Sequence, residues 1–279
     1  MSSDAQATLE TFFNAFKGAA PPLLLLDYDG TMASFRVDRF EAHPYAGVPE
    51  LLARIQRDGQ TRLAVVTGRP AGEIGPLLRL RPALEVWGLH GAERLSPTGH
   101  RSLESASPQA LAKLDELRVR LNNDSLGGIF EDKPNACVMH WRGLSATRAR
   151  AVEKRTRDLF EPLAEMDGLR LLEFEAGLEL RVGRDKGGAV DAILEEMGAH
   201  GPVAYVGDDL TDESAFRAVN ALHGAHLSVL MRTKQRTTEA DIWLHPPADL
   251  RMFLKLWLRA VEKRAADRAL IEESELAAV

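Results

Sequence analysis

The sequence predicts an α/β protein with a parallel sheet, interrupted by an inserted α+β domain. Short runs of the chain are apolar throughout rather than alternating, as is typical of parallel strands covered on both faces. Helical patterns separate these runs, which indicates a doubly wound α/β arrangement. A helix–hairpin–helix–hairpin block breaks this pattern in the middle of the chain and then returns the chain to it, which predicts the inserted domain.

The elements of the α/β part follow in chain order. Apolar residues at helical spacing predict an amphipathic helix at the N-terminus: Leu9, Phe12, Phe13 and Phe16. The predicted strands are 23–27 (LLLLD), 62–66 (RLAVV), 203–206 (VAYV), 227–231 (LSVLM) and 242–244 (IWL). The predicted helices between them are 48–57, 71–80, 186–198 and 212–221. After residue 259 the chain is charged and Ala-rich, which predicts a terminal helix.

The inserted block is predicted to span residues 105–182, which leaves 1–104 and 183–279 for the core. It begins at Ser107-Pro108, an N-cap followed by proline at the first helical position. One helical stripe follows, made of Leu111, Leu114, Leu117 and Leu121. The remaining predicted elements are two strands at 128–142, a helix at 145–165 and two strands at 169–182.

The first hairpin of this block predicts which side chains share a face. A two-residue turn at Pro134-Asn135 pairs Lys133 with Ala136 and Glu131 with Val138. Polar residues then share one face: Glu131, Lys133, His140 and Arg142. Apolar residues share the other face, which is expected to pack against the helices: Phe130, Cys137, Met139 and Trp141.

Composition limits the function classes. The formal charge of −6 argues against a chain that mainly binds nucleic acid or anionic lipid. Cys137 is the only cysteine, which excludes an internal disulfide and a Cys-rich metal site. The N-terminus lacks the layout of a secretory signal, and no apolar run reaches the ~20 residues that span a bilayer. We therefore expect a cytoplasmic monomer or small homo-oligomer that binds neither nucleic acid nor membrane.

Polar side chains follow the predicted strands where the strands end. Asp27 and Asp29 follow the first strand, Thr67-Gly68-Arg69 follow the second, and Asp208-Asp209 follow the strand at 203–206. Lys186 begins a helix after a strand that ends near Val182. Ligands of parallel α/β sheets bind beyond the carboxyl ends of the strands, so we expect these groups to lie close together.

Several carboxylates without His or Cys favour a hard, oxygen-loving cation, and Mg²⁺ fits best. The predicted metal residues are Asp27, Asp29, Asp208 and Asp209. A carboxylate can also attack phosphorus, with a cation and a Lys neutralising the approaching charges. A second acid must protonate the leaving oxygen and later activate water.

These requirements assign roles to four residues. Asp27 is the expected nucleophile, and Asp29 the expected general acid and base. Thr67 is expected to hold a phosphoryl oxygen, and Lys186 to neutralise charge. Asp212 and Glu213 are expected to begin a helix or support the site rather than bind metal directly.

Four motifs resemble, in order and spacing, those of the haloacid dehalogenase superfamily of aspartate-nucleophile phosphatases. They are "DYDGT" from Asp27, "VVTGR" from Val65, "RDKGGA" from Arg184 and "GDDLTDE" from Gly207. The resemblance implies a Rossmann-like core, and the inserted domain is similar to the αββαββ cap of this superfamily.

A narrower resemblance is to trehalose-6-phosphate phosphatases. It is carried by "GLHGAE" at 88–93, "EDK" at 131–133, "HWRG" at 140–143, "ELR" at 179–181 and "GDDLTDE" at 207–213. The resemblance implies that the cap determines substrate specificity and that residues of both parts bind the sugar phosphate: Arg69, His90, Glu131, Lys133, His140, Arg142 and Glu179. It implies Mg²⁺-dependent hydrolysis of trehalose 6-phosphate through an aspartyl phosphate.

Alternatives remain at this point. The substrate could be another sugar phosphate, of the sucrose-phosphate, mannosyl-phosphate or glucosyl-phosphate type. His90 could be a structural histidine beside a turn, Arg69 could cap a helix or pair with a surface acid, and the polar hairpin face could be solvated. A phospho-receiver domain would be shorter and would lack the acid at Asp29.

Overall fold

The structure is a computed structural model and describes residues 2–17, 20–123, 129–133 and 135–277. It contains two compact units. One, called the core unit here, comprises Met1–Ser102, Lys186–Asp208 and Asp212–Val279. The other, called the inserted unit, comprises Leu103–Asp185 with Asp209–Thr211. The predicted inserted domain, 105–182, falls within the inserted unit.

The strands in chain order are β1 (Leu23–Leu26), β2 (Arg62–Val66), β3 (Glu85–Gly88), β4 (Glu93–Leu95), β5 (Arg101–Leu103), β6 (Phe130–Lys133), β7 (Ala136–His140), β8 (Leu169–Phe174), β9 (Gly177–Val182), β10 (Val203–Gly207), β11 (His226–Met231) and β12 (Ile242–Leu244). The α-helices are α1 (Ser3–Asn14), α2 (Val48–Asp58), α3 (Ile74–Leu78), α4 (Pro108–Asn122), α5 (Ala146–Ala164), α6 (Lys186–Met197), α7 (Glu213–Asn220) and α8 (Ala248–Ala277). Short 3₁₀ turns occur at Arg39–Glu41, Ala71–Glu73, Leu89–Gly91 and Leu210–Asp212.

The core unit is built on a sheet with the order β12-β11-β10-β1-β2-β3-β4-β5. Neighbouring strands from β12 to β3 are parallel, and β4 is antiparallel to β3. In register, Leu26 at the end of β1 lies between Val206 of β10 and Val65 of β2. The carboxyl ends of β1, β2 and β10 therefore meet at one edge of the sheet.

Helices cover both faces of this sheet. Leu24 and Leu26 belong to a core cluster that includes residues of α1, α2 and α8. Leu23 and Leu25 belong to a second cluster, on the other face, with residues of α6 and α7. Since successive side chains of a strand point to opposite faces, burial of all four leucines explains why this strand is apolar throughout.

The five predicted core strands are confirmed, with bounds that differ by at most a residue. Strand β3 was not predicted, because its sequence EVWG is short and contains a charged residue and a glycine. The helix predicted at 71–80 is wrong in detail: a 3₁₀ turn precedes α3, and Arg79 follows in a left-handed conformation with φ of 55°. That conformation ends the helix at Leu78, two residues before the predicted end.

The inserted unit contains an antiparallel sheet with the order β6-β7-β9-β8. Ser107 caps α4 as predicted, since its hydroxyl accepts a hydrogen bond from the Ala110 amide at 3.4 Å. The predicted pairs Lys133–Ala136 and Glu131–Val138 are confirmed. Residue 128 and Pro134, parts of the predicted strand and turn, lie outside the described residues.

The apolar face of this sheet packs against α4 and α5. Cys137 and Met139 belong to the buried apolar cluster that this face forms with the two helices, as predicted. Phe130 and Trp141 are partly buried and pack against the same cluster. Burial raises the pKa of the Cys137 thiol to about 12, so the thiol remains protonated. Among the helices of the described ranges, none is both long and apolar enough to cross a membrane.

Candidate active site

A buried cluster of charges lies at the carboxyl edge of the core sheet. Lys186, the first residue of α6, places its Nζ 2.8 Å from Asp27 Oδ1 and 2.7 Å from Asp212 Oδ1. Asp27 directly follows β1, and the Thr31 hydroxyl donates to its Oδ2 at 3.3 Å. All of these side chains are buried. The predicted convergence of Asp27 and Lys186 is confirmed.

Asp212 organises the loop that follows β10. Its Oδ1 also accepts a hydrogen bond from the Tyr205 hydroxyl at 2.6 Å, and its Oδ2 accepts one from the Asp208 amide at 3.0 Å. The carboxylate lies against Gly207, where a Cβ atom would be 2.3 Å from Asp212 Cγ. Asp212 therefore supports Lys186 and Asp208, in line with the supporting role expected from the sequence.

Burial and charge shift the pKa values of this cluster in opposite directions. Burial raises the pKa of Asp27 to about 7, although the Lys186 ammonium partly opposes the shift. Burial alone would lower the pKa of Lys186, but the carboxylates of Asp212 and Asp27 raise it above its ordinary value. Lys186 is therefore charged at neutral pH, and further positive charge near Asp27 would favour the ionised carboxylate.

The donor set of the cluster suits a hard divalent cation. Oxygen atoms of Asp27, Asp208 and Asp212 lie within 4.8 Å of one another, and no other such group occurs in the described parts of the chain. Gly30 leaves room for Asp208, because a Cβ atom there would lie 2.0 Å from Asp208 Oδ2. The residues present therefore fit Mg²⁺. Asp29 and Asp209, predicted as metal residues, lie outside this group of three carboxylates.

Asp29 is held by Arg69. The Arg69 Nε and Nη2 atoms each donate to one oxygen of the Asp29 carboxylate at 2.6 Å. The Nη1 atom donates to the Arg39 carbonyl at 2.7 Å, and the guanidinium lies 5.3 Å from the centroid of the Tyr28 ring. Arg69 therefore pairs with an acid of the candidate site, and not with a surface acid, the alternative that the sequence left open. Each of the three guanidinium nitrogens thus donates to a protein oxygen, and the role of Arg69 toward substrate stays a prediction.

The predicted substrate residues Thr67 and His90 lie in adjoining turns. The Thr67 hydroxyl accepts a hydrogen bond from the Arg69 amide at 3.2 Å. The His90 amide donates to the Thr67 carbonyl at 2.8 Å. The His90 ring lies against Gly68, where a Cβ atom would be 2.7 Å from Nε2. The structure thus places both residues beside the Asp29–Arg69 pair.

Four of the remaining predicted substrate residues lie in the inserted unit, on the polar face of its sheet: Glu131, Lys133, His140 and Glu179. Lys133 Nζ is 2.9 Å from Glu179 Oε2, and His140 Nε2 is 2.8 Å from Glu131 Oε2. Glu179 is only 3% exposed, whereas His140 is half-buried and Glu131 is exposed. A further buried residue, Arg181, donates to Glu179 Oε1 at 3.2 Å.

Arg142, the last of the predicted substrate residues in the inserted unit, was predicted on the same strand face, but β7 ends at His140 and Arg142 lies exposed in the turn that follows. Its Nη2 donates to the Glu175 carbonyl at 3.4 Å.

Two residues of the site were missed in the sequence. Tyr205 was read only as part of an apolar strand, although its hydroxyl bonds to Asp212; burial raises its pKa well above the ordinary value and keeps it a donor. Glu93 was noted only within "GLHGAE", yet its buried carboxylate accepts a hydrogen bond from the Ala71 amide at 2.7 Å. For Tyr205 the available signal was a hydroxyl-bearing side chain within the apolar run 203–206.

Proteins of known fold share this architecture. The C-terminal domain of C. albicans trehalose-6-phosphate phosphatase aligns with a TM-score of 0.72 at 20% identity, over 90% of this chain and 96% of that one. A haloacid dehalogenase-like hydrolase from B. subtilis aligns with a TM-score of 0.58 at 17% identity, over 84% and 98%. These likenesses confirm the predicted fold.

Sequence relatives agree on the family. A trehalose-phosphate phosphatase of Mycobacterium avium is 30% identical over 241 residues, which are 81% of this chain and 59% of that protein. Trehalose 6-phosphate phosphatase RA3 of Zea mays is 26% identical over 273 residues, covering 90% and 73%. The chain thus spans about three fifths of the length of its mycobacterial relative. The trehalose-phosphatase family model matches residues 25–245, most of the chain, and the chain belongs to the trehalose-phosphatase family.

Proposed function

We propose that this chain is a Mg²⁺-dependent phosphatase that hydrolyses trehalose 6-phosphate to trehalose and phosphate. The observation that carries the proposal is the buried Asp27–Lys186 pair at 2.8 Å, with a second acid, Asp29, two residues further on and held by Arg69. Membership of the trehalose-phosphatase family supports the choice of substrate.

In the first step, a carboxylate oxygen of Asp27 attacks phosphorus, and the bond from phosphorus to the sugar oxygen breaks. The product is an aspartyl phosphate on Asp27, and the sugar oxygen takes a proton from Asp29 to become a hydroxyl. Lys186 supports this step because its ammonium, 2.8 Å from Asp27, offsets the charge of the approaching phosphoryl group.

In the second step, Asp29 accepts a proton from water, and the water oxygen attacks phosphorus, which frees Asp27 and releases phosphate. The pairing with Arg69 is compatible with both steps, since a carboxylate has about four lone-pair sites and Arg69 uses only two. Arg69 keeps the Asp29 carboxylate in a single orientation. The Thr67 hydroxyl, two residues before Arg69 in the same turn, is the proposed donor to a phosphoryl oxygen.

Asp27 and Asp208 are the proposed ligands of Mg²⁺. Asp212 is the proposed support, since its carboxylate already accepts three hydrogen bonds, from Lys186, Tyr205 and the Asp208 amide. When bound, the cation would supply positive charge that favours the ionised form of Asp27 and offsets charge on the phosphoryl group.

The inserted domain, 105–182, is the proposed cap that recognises the sugar. A disaccharide offers many hydroxyls and no charge of its own, and mixed acids and bases supply donors and acceptors for hydroxyls. The Lys133–Glu179 and Glu131–His140 pairs present such groups on one face of the sheet. Contacts far from phosphorus can still raise the rate by orienting the ester.

A phosphate-release screen tests the proposal. The panel contains trehalose 6-phosphate, sucrose 6-phosphate, mannosyl- and glucosyl-phosphates and p-nitrophenyl phosphate, each with Mg²⁺ and with EDTA. We expect the highest kcat/KM for trehalose 6-phosphate and no turnover in EDTA. Asp27→Asn is expected to fold normally and to lose turnover, because an amide does not attack phosphorus. A higher kcat/KM for another sugar phosphate would show that trehalose 6-phosphate is not the preferred substrate. Activity in Asp27→Asn would refute the assignment of Asp27 as the nucleophile.

A further inference from the structure

A buried carboxylate that does not belong to the cluster of Asp27, Asp212 and Lys186 lies beside the turn that carries Thr67 and Arg69. Glu93 is the first residue of β4 and is 1% exposed. Its Oε2 accepts a hydrogen bond from the Ala71 amide at 2.7 Å, and its Oε1 accepts one from Arg101 Nε. Burying a carboxylate is costly unless it is paired and hydrogen-bonded, and here one of its partners is backbone of the turn after β2.

The segment around Glu93 binds this turn at several further points. The Leu89 amide donates to the Arg69 carbonyl and the His90 amide to the Thr67 carbonyl, both at 2.8 Å. Gly88 lies so close that a Cβ atom there would be 2.4 Å from the Ala71 nitrogen.

The backbone is strained where these contacts are made. Leu89 and His90 have φ of 48° and 55°, a left-handed conformation that costs a non-glycine residue free energy. Such strain persists only where surrounding contacts hold it.

We infer that Glu93 is a positioning residue: it fixes the turn 67–71 and thereby holds Arg69 where its guanidinium orients Asp29. The chain of contacts runs from the Glu93 carboxylate to the Ala71 amide, through two peptide units to Arg69, and from Arg69 to both oxygens of Asp29 at 2.6 Å. Glu93 touches none of the reacting groups. The inference rests on the proposed function, since it assigns Asp29 the proton transfers.

Glu85 offers a matched control. It is a second buried carboxylate of the same β3–β4 hairpin, but it lies at the amino end of β3 and binds Arg62 and Arg94. Replacement of either glutamate by leucine removes one buried carboxylate from the hairpin, and only Glu93→Leu removes a bond to the turn 67–71.

The experiment compares Glu93→Leu, Glu93→Gln and Glu85→Leu. Misplacement of a catalytic group by about 1 Å can cost up to about 100-fold, so we expect Glu93→Leu to lower kcat by about 10- to 100-fold. The loss should be larger on a sugar phosphate than on p-nitrophenyl phosphate, whose leaving group needs no proton. Glu93→Gln, which keeps an acceptor for the Ala71 amide, should recover most of the rate, and Glu85→Leu should keep the wild-type kcat.

A double variant tests whether Glu93 acts through Arg69. If it does, Glu93→Leu should cost little further in an Arg69→Ala background, because the two changes remove one chain of contacts. The inference would be overturned if the losses from Glu93→Leu and Arg69→Ala were fully additive. It would also be overturned if Glu93→Leu kept the wild-type kcat, or if Glu85→Leu lost as much kcat as Glu93→Leu. Should Glu93→Leu not fold, Gly88→Ala displaces the same Ala71 nitrogen and is expected to lower kcat in the same way.

Hydrogen exchange of the backbone separates this inference from the proposed function. Exchange in a peptide covering 67–71 should be faster in Glu93→Leu than in wild type and unchanged in Glu85→Leu. If the wild-type protein hydrolyses no phosphate ester, the proposed function fails, while the exchange result still decides whether Glu93 holds the turn. Unchanged exchange in Glu93→Leu refutes the positioning role whatever the substrate.

Discussion

Lys186 forms ion pairs with both Asp27 and Asp212, so Lys186→Met tests the charge balance of the cluster. Removing one partner of a buried ion pair typically costs about 3–5 kcal/mol, because an uncompensated charge stays buried. Here the carboxylates of Asp27 and Asp212 both lose the Lys186 ammonium, and oxygens of the third carboxylate, Asp208, lie within 4.8 Å of theirs. At about 2–4 °C per kcal/mol for a domain of this size, we expect the Tm in EDTA to fall by roughly 6–20 °C.

The assay is thermal unfolding followed by circular dichroism, with Lys234→Met as the control. Lys234 is an exposed lysine on the loop after β11, where a substitution should change stability by less than about 0.5 kcal/mol. Lys186→Met combined with Asp212→Asn should regain part of the lost stability while remaining inactive, since both charges of that pair are gone. Mg²⁺ should raise the Tm of Lys186→Met more than that of wild type. A Tm for Lys186→Met equal to that of Lys234→Met would refute the charge balance described here.

Three further changes have expected outcomes. Asp29→Asn should lose about 10²–10⁴-fold in rate on trehalose 6-phosphate and less on p-nitrophenyl phosphate, and equal losses would contradict the proton-transfer role. Gly30→Ala should weaken the stabilisation by Mg²⁺, because Gly30 has φ of +80° and a Cβ atom would lie 2.0 Å from Asp208 Oδ2; an unchanged Mg²⁺ titration of the Tm would disprove this. Glu179→Ala removes the buried carboxylate that Arg181 and Lys133 both contact and should lower kcat/KM for trehalose 6-phosphate by about 10- to 100-fold, since a lost contact costs about 1–3 kcal/mol. It should change aryl phosphate hydrolysis far less, and parallel losses on both substrates would argue against a sugar contact.

The sequence by itself determined the parallel sheet and the residues at its edge. Runs such as LLLL at 23–26 are apolar throughout because both faces of the strand are covered, and this pattern does not depend on which strands are neighbours. The acids that follow such runs must then lie at the carboxyl edge, which is why Asp27 and Asp208 could be identified. The register of the β6–β7 hairpin was also predictable, because a short turn and side-chain alternation are local properties.

Only the tertiary structure decided which polar groups are partners. Arg69 and Asp29 are 40 positions apart, and their pairing depends on β1 and β2 being neighbours in register. Strand β3 has too few apolar residues to be recognised alone; pairing with β2 places Val86 and Trp87 in the apolar clusters on the two faces of the sheet, which bury them. The contact of Glu93 with Ala71 likewise requires β3 and β4 to lie beside β2. Local patterns report the burial and direction of a segment, whereas a hydrogen bond between distant residues depends on strand order and register, which are set by packing of the whole sheet.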